Sequence, residues 1–73
     1  VTAGCAVAVE RYGLSRREAE VLDLLARGRD VPHVAEELVI SKNTVRTHTK
    51  SIFAKMGVHS RQELIDLVES IEA

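Results

Sequence analysis

Ser41 to Met56 reads SKNTVRTHTKSIFAKM, and its periodicity sets the fold. On a wheel of about 100° per residue, Val45, Thr49, Ile52 and Met56 share an arc of roughly 60°, with Phe53 beside it, as expected for the buried edge of an amphipathic helix. Lys42, Asn43, Arg46, Thr47 and Lys50 fill the neighbouring arc, which holds no acid. From Leu38 to Gln62 the chain carries Lys42, Arg46, Lys50, Lys55 and Arg61 and no Asp or Glu, although the whole chain has 10 basic against 11 acidic residues. The positive charge is therefore local. A helix that buries one side and offers Arg, Lys, Asn and Thr on the other suits a DNA major groove, where Arg and Lys donate to guanine and Asn pairs with adenine. A charged arc is also what any solvated helix face looks like, so the surrounding segments must decide.

Working upstream, Ile40 plugs the core and Ser41 caps the helix. Asp30 caps a shorter one, with Pro32 tolerated in its first turn and Val34, Ala35 and Leu38 facing inward. Two helices joined by a turn of about three or four residues, the first bearing the small Ala35 that permits close approach, make a helix-turn-helix. Before them, Ser15 and Glu18 form a capping box with Leu14 as staple, opening a helix whose core face is Ala19, Val21, Leu22, Leu25 and Ala26. Arg27, Gly28 and Arg29 supply its basic end and stop. Downstream, Gly57 ends the long helix, Val58 returns to the core, and Ser60 with Glu63 opens a last helix to about Ile71. Its Leu64, Val68 and Ile71 form one stripe. Ile65 and Leu67 widen the apolar surface beyond what docking needs, which predicts a partner on that face.

Residues 1–13 read as a linker or short helix: Cys5, Ala8, Val9 and Tyr12 recur at helical spacing and Gly13 is a natural stop. The apolar face there is expected to belong to a neighbour. The remaining residues, 14–73, form one domain. At 73 residues the chain can bury only about 60 % of its unfolded surface, so a modest stability margin is expected, and oligomerisation would raise it. No apolar run is long enough to span a membrane and nothing resembles a signal peptide. A start at Val rather than Met points to a piece of a longer protein. The single Cys5 cannot form an internal disulfide and lacks zinc-site spacing.

In order, the segments LSRREAEVLDLLARG (Leu14 to Gly28), VAEELVIS (Val34 to Ser41), TVRTH (Thr44 to His48) and IFAKMGVHSRQEL (Ile52 to Leu64) resemble the LuxR (GerE, NarL/FixJ) type helix-turn-helix domain, the C-terminal DNA-binding module of bacterial transcription regulators. The resemblance implies an all-α, four-helix domain whose third helix reads the major groove and whose fourth forms a homodimer contact, here through Leu64, Ile65, Leu67 and Val68. It implies base contacts from Arg46, Thr47 and Lys50 and phosphate contacts from Ser41, Lys42, Asn43 and Thr44. The expected partner is double-stranded DNA bearing an approximate inverted repeat, met in the cytoplasm, with no membrane contact from this domain. Where the family usually carries Asn-Lys-Glu-Ile-Ala, this chain has Val31, Pro32, His33, Val34 and Ala35, which removes a basic residue and an acid from the second helix.

Other chemistries have little to build on. Glu18 and Glu63 are better accounted for as capping-box acids than as a catalytic pair, and Ser15, Ser41 and Ser60 as caps rather than nucleophiles. His48 lies between the two arcs; a packed or backbone-contacting role suits it better than phosphate donation or metal binding, since neither His33 nor His59 stands at helical spacing from it. No enzyme, metal or cofactor is expected. The competing function is a small protein-interaction module using the apolar strip of the last helix and Glu63, Asp66, Glu69 and Glu72, in keeping with a net charge of −1.

Overall fold

The computed structural model describes residues 3–72, which form five helices and, among them, no strand: α1 (Ala3–Tyr12), α2 (Arg16–Ala26), α3 (Val31–Leu38), α4 (Lys42–Met56) and α5 (Arg61–Glu72). From α2 onward, each start is fixed by a side chain that relieves an orphan amide. Ser15 Oγ accepts from the Glu18 amide at 3.2 Å while Glu18 Oε1 accepts from the Ser15 amide at 2.8 Å, a complete capping box. Asp30 accepts from the His33 amide at 2.9 Å, Ser41 from the Thr44 amide at 3.0 Å and Ser60 from the Glu63 amide at 3.1 Å.

The ends are set by backbone handedness. Gly57 stops α4 in the left-handed conformation at φ 68°, which costs a glycine nothing. Val39 stops α3 in the same region, at φ 56° and ψ 50°, where a β-branched residue is strained. Its side chain is 88 % exposed. Ile40 then returns, its amide donating to the Ala35 carbonyl at 3.0 Å, and packs partly buried against the core.

α3, the turn Val39-Ile40-Ser41 and α4 make the helix-turn-helix, with α4 packed on both α2 and α3. Val45, Ile52 and Met56 of α4 are buried with Val34 and Ala35 of α3 and Val21, Leu22, Leu24 and Leu25 of α2. At roughly 1.5–3 kcal/mol for each large aliphatic side chain removed from water, the three from α4 contribute on the order of 5–8 kcal/mol to holding that helix in place.

Two expectations about the ends of the chain are corrected. The apolar face of residues 1–13 does not await an outside neighbour. α1 packs against α5 and α2, with Cys5 and Ala8 wholly buried and Val9 and Tyr12 partly so. In turn, Leu64 and Val68, expected at a dimer seam, are 0 % and 3 % exposed within this single chain. They sit in the core cluster that includes Cys5 and Ala8, so neither is available at the surface. Ile65 and Leu67, like Ile71, are only partly buried, so of the four residues expected at the seam these two keep exposed apolar surface on α5. Among the described residues, no helix is long and apolar enough to cross a membrane.

Candidate nucleic-acid interface

Helical spacing and burial together sort the side chains of α4. With Val45, Ile52 and Met56 turned into the core, Lys42, Asn43, Arg46, Thr47 and Lys50 are all exposed. Lys42, Arg46 and Lys50 follow one another at i, i+4 and i+8, a row of cations spanning about 12 Å along the helix axis. None of the three has an acidic partner among the described residues, whereas Arg16, Arg17, Arg27 and Lys55 each do. Arg61 is also spoken for, since its guanidinium donates to the Leu25 carbonyl at 3.3 Å and to the Arg29 carbonyl. Of the five basic residues between Leu38 and Gln62, the fold thus consumes Lys55 and Arg61 and leaves three, all on one exposed face.

The expected phosphate contacts lie at the start of α4 but differ in what they have left to offer. Ser41 Oγ is 2.8 Å from Thr44 Oγ1 as well as accepting from the Thr44 amide, so these hydroxyls are partly spent on the cap. Lys42 and Asn43 are the exposed first-turn residues, whose amides lie where a helix has no internal acceptor for them. Thr47 Oγ1 donates to the Asn43 carbonyl at 3.0 Å, which commits its proton to the backbone of an exposed position. His48 and Thr49 are half-buried, and Thr49 Oγ1 donates back to the Val45 carbonyl at 2.8 Å.

Periodicity did not reveal the polar anchor beneath this helix. Glu18, 4 % exposed, receives Lys55 Nζ on Oε1 at 2.7 Å and Ser51 Oγ on Oε2 at 2.5 Å. The Lys55 ammonium, the Ser15 amide and the Ser51 hydroxyl hold its carboxyl down to about 2, against the opposing effect of burial. The capping box signalled Glu18 as local; only its burial among partners 33 and 37 residues away shows the second role.

Two surface depressions lie elsewhere, on α2 and α3. One of about 330 Å³ is lined by His33, Glu36 and Glu37, the other, about 280 Å³, by Glu20, Asp23, Leu24, Arg27, Glu37 and Leu38. Neither gathers any residue of α4.

With the turn, the buried stripe and the exposed row in place, comparison with known proteins is direct. The family model "Bacterial regulatory proteins, luxR family" matches residues 12–68. The chain belongs to the luxR family. Among curated relatives, the Fimbriae Z protein of Salmonella typhimurium is 46% identical over 59 residues, covering 81% of this chain and 28% of that protein. The "Probable transcriptional regulatory protein NarL" of Mycobacterium tuberculosis is 44% identical over 48 residues, covering 66% and 22%. The Oxygen regulatory protein NreC of Staphylococcus aureus is 42% identical over 53 residues, covering 73% and 24%. The matched part is therefore about a quarter of each relative's length. No solved structure matches the chain. As a luxR-family member with a five-helix, strand-free described chain, the protein has the all-α helix-turn-helix architecture expected from its sequence, with α1 as an added, integrated helix.

Proposed function

We propose that this chain is the DNA-binding output domain of a bacterial transcription regulator and that α4 enters the major groove of double-stranded DNA. The observation that carries it is the exposed, acid-free row Lys42, Arg46 and Lys50 on a helix whose adjoining face is buried. Arg46 and Lys50 donate to base edges, with guanine the natural acceptor. Thr47, its proton committed to the Asn43 carbonyl, contributes a methyl contact of the kind that recognises thymine. Lys42, Asn43 and the first-turn amides of α4, with Ser41 and Thr44, meet phosphates, fixing register without reading sequence.

A net charge of −1 does not oppose this, because the acids lie on other elements. At a Debye length of about 8 Å in physiological salt, distant acids are screened from a groove-facing row. Two copies on an inverted repeat, joined through the outward Ile65 and Leu67 of α5, would present their α4 helices about 34–36 Å apart, one DNA turn. The regulator reads its operator in the cytoplasm.

Fluorescence anisotropy with a random duplex at low and moderate salt tests the proposal. Affinity should fall steeply as salt rises, with a log–log slope of about −0.9 for each phosphate neutralised. Absence of salt-sensitive binding sinks the proposal and favours a protein-interaction module built on α5, whose Glu63, Asp66 and Glu69 are exposed beside Ile65 and Leu67.

A further inference from the structure

The geometry points to Glu18 as a positioning residue for base readout: from the first turn of α2 its carboxylate holds Ser51 and Lys55, and so fixes the roll of α4 on which Arg46, Thr47 and Lys50 depend. The inference rests on the DNA-binding proposal above and adds a residue that touches no DNA.

Two kinds of contact seat α4. Val45, Ile52 and Met56 press aliphatic surface into the core, and the hydrophobic driving force behind that burial is non-directional. Hydrogen bonds have preferred distances and angles, and so add a directional constraint to the packing. On the wheel that places Arg46 and Lys50 at about 40° and 80°, Ser51 and Lys55 fall at about 180° and 220°, on the other flank of the buried stripe. A clamp there resists rotation about the helix axis in a way the stripe alone cannot. With side chains reaching roughly 5–6 Å from that axis, a roll of about 10° moves a guanidinium by about 1 Å, beyond the roughly 0.5 Å within which a preorganised contact must be held.

Glu18 is suited to be the fixed end. It is 4 % exposed, its Oε1 is also tied to the Ser15 amide at 2.8 Å, and the same Ser15 caps its helix in return. Both carboxylate oxygens are occupied, Oε2 by Ser51 at 2.5 Å and Oε1 by Lys55 at 2.7 Å. Ser51 directly follows Lys50 in the chain, so the anchor acts within one residue of the exposed cations. The charge of Lys55 is consumed here, which separates its function from that of the row Lys42, Arg46 and Lys50.

A residue that only stabilised the fold would, once each variant is measured well below its own melting midpoint, leave discrimination between DNA sequences unchanged. The test selects duplexes from a random-sequence library with the wild-type chain. It then titrates the selected duplex and a scrambled one with wild type, Glu18→Gln and Ser51→Ala. Ser51→Ala leaves the net charge and the α2 cap intact, so it decides the matter even if Glu18→Gln folds poorly. The expected result is a fall of roughly ten-fold in the ratio of scrambled to selected Kd for Glu18→Gln and of several-fold for Ser51→Ala, as base contacts lose their alignment. For Ser51→Ala, the scrambled-duplex Kd should stay within about two-fold, because phosphate attraction does not need that alignment. An unchanged ratio in the folded variants, or equal losses on both duplexes, overturns the positioning role. Failure of the wild-type chain to enrich any duplex refutes the DNA-binding proposal itself, and this inference with it.

Discussion

Val39 is the one described residue other than glycine with a positive φ, and replacing it by glycine should make the protein more stable although the change removes apolar atoms. At φ 56° and ψ 50° an L residue with a Cβ pays about 1–2 kcal/mol relative to its relaxed conformation, and β-branching places Val39 at the upper end. The side chain is 88 % exposed, so its deletion forfeits only a few tenths of a kcal/mol of burial. Glycine adds freedom to the unfolded chain, costing about 0.5–1 kcal/mol. The backbone bonds that close α3, from the Val39 and Ile40 amides to the Ala35 carbonyl, need no side chain and persist. The net gain is about 0.5 kcal/mol, which for a domain of this size raises the melting midpoint by roughly 2–4 °C. The reciprocal change supplies the control. Gly57 sits at φ 68° with open space where a Cβ would project, so Gly57→Val should lower the midpoint by backbone strain alone. Thermal and urea unfolding followed by circular dichroism read both variants. A lower midpoint for Val39→Gly at unchanged helical content would refute the strain account, and so would a Gly57→Val midpoint equal to wild type.

Four further outcomes are expected. Arg46→Ala should cost roughly 1–3 kcal/mol on a selected duplex if the guanidinium grips guanine through both donors; equal loss on a scrambled duplex would demote it to a phosphate contact. Because the Glu18 carboxyl is held at about 2 when folded, down from 4.5, its contribution to stability is present above the unfolded value and lost as pH falls through the window from about 4.5 to about 2. Urea midpoints across that window should therefore fall less steeply for Glu18→Gln than for wild type, and parallel curves would count against the buried clamp. Leu64→Ala should destabilise the monomer by about 2–5 kcal/mol as a core cavity. Leu67→Ser should leave folding within about 1 kcal/mol yet weaken paired occupancy of an inverted repeat in gel-shift titrations; a Leu67→Ser protein that still loads as two copies would remove α5 from the seam.

Much of the architecture was legible because the signals that set it act within one helical turn. Ser41 and Gly57 bracket α4, Asp30 and Pro32 open α3, and Ser15 with Glu18 opens α2; each works through its own neighbours, so sequence spacing is enough to place it. The 3.6-residue period likewise separates Val45, Ile52 and Met56 from Lys42, Arg46 and Lys50 before any packing is known. Periodicity could say that α1 and α5 each have an apolar face, but not that the two faces meet. That pairing joins Cys5 and Ala8 to Leu64 and Val68 from opposite ends of the chain, and it turned two expected interface residues into core. The same limit hid the bonds from Ser51 and Lys55 to Glu18, and those from Arg61 to the Leu25 and Arg29 carbonyls. The sequence alone thus determined where the helices run and which side of α4 is charged. Only the tertiary structure decided which cations stay free, because pairing a charge or covering an apolar face depends on groups brought together by folding, and no local spacing encodes that proximity.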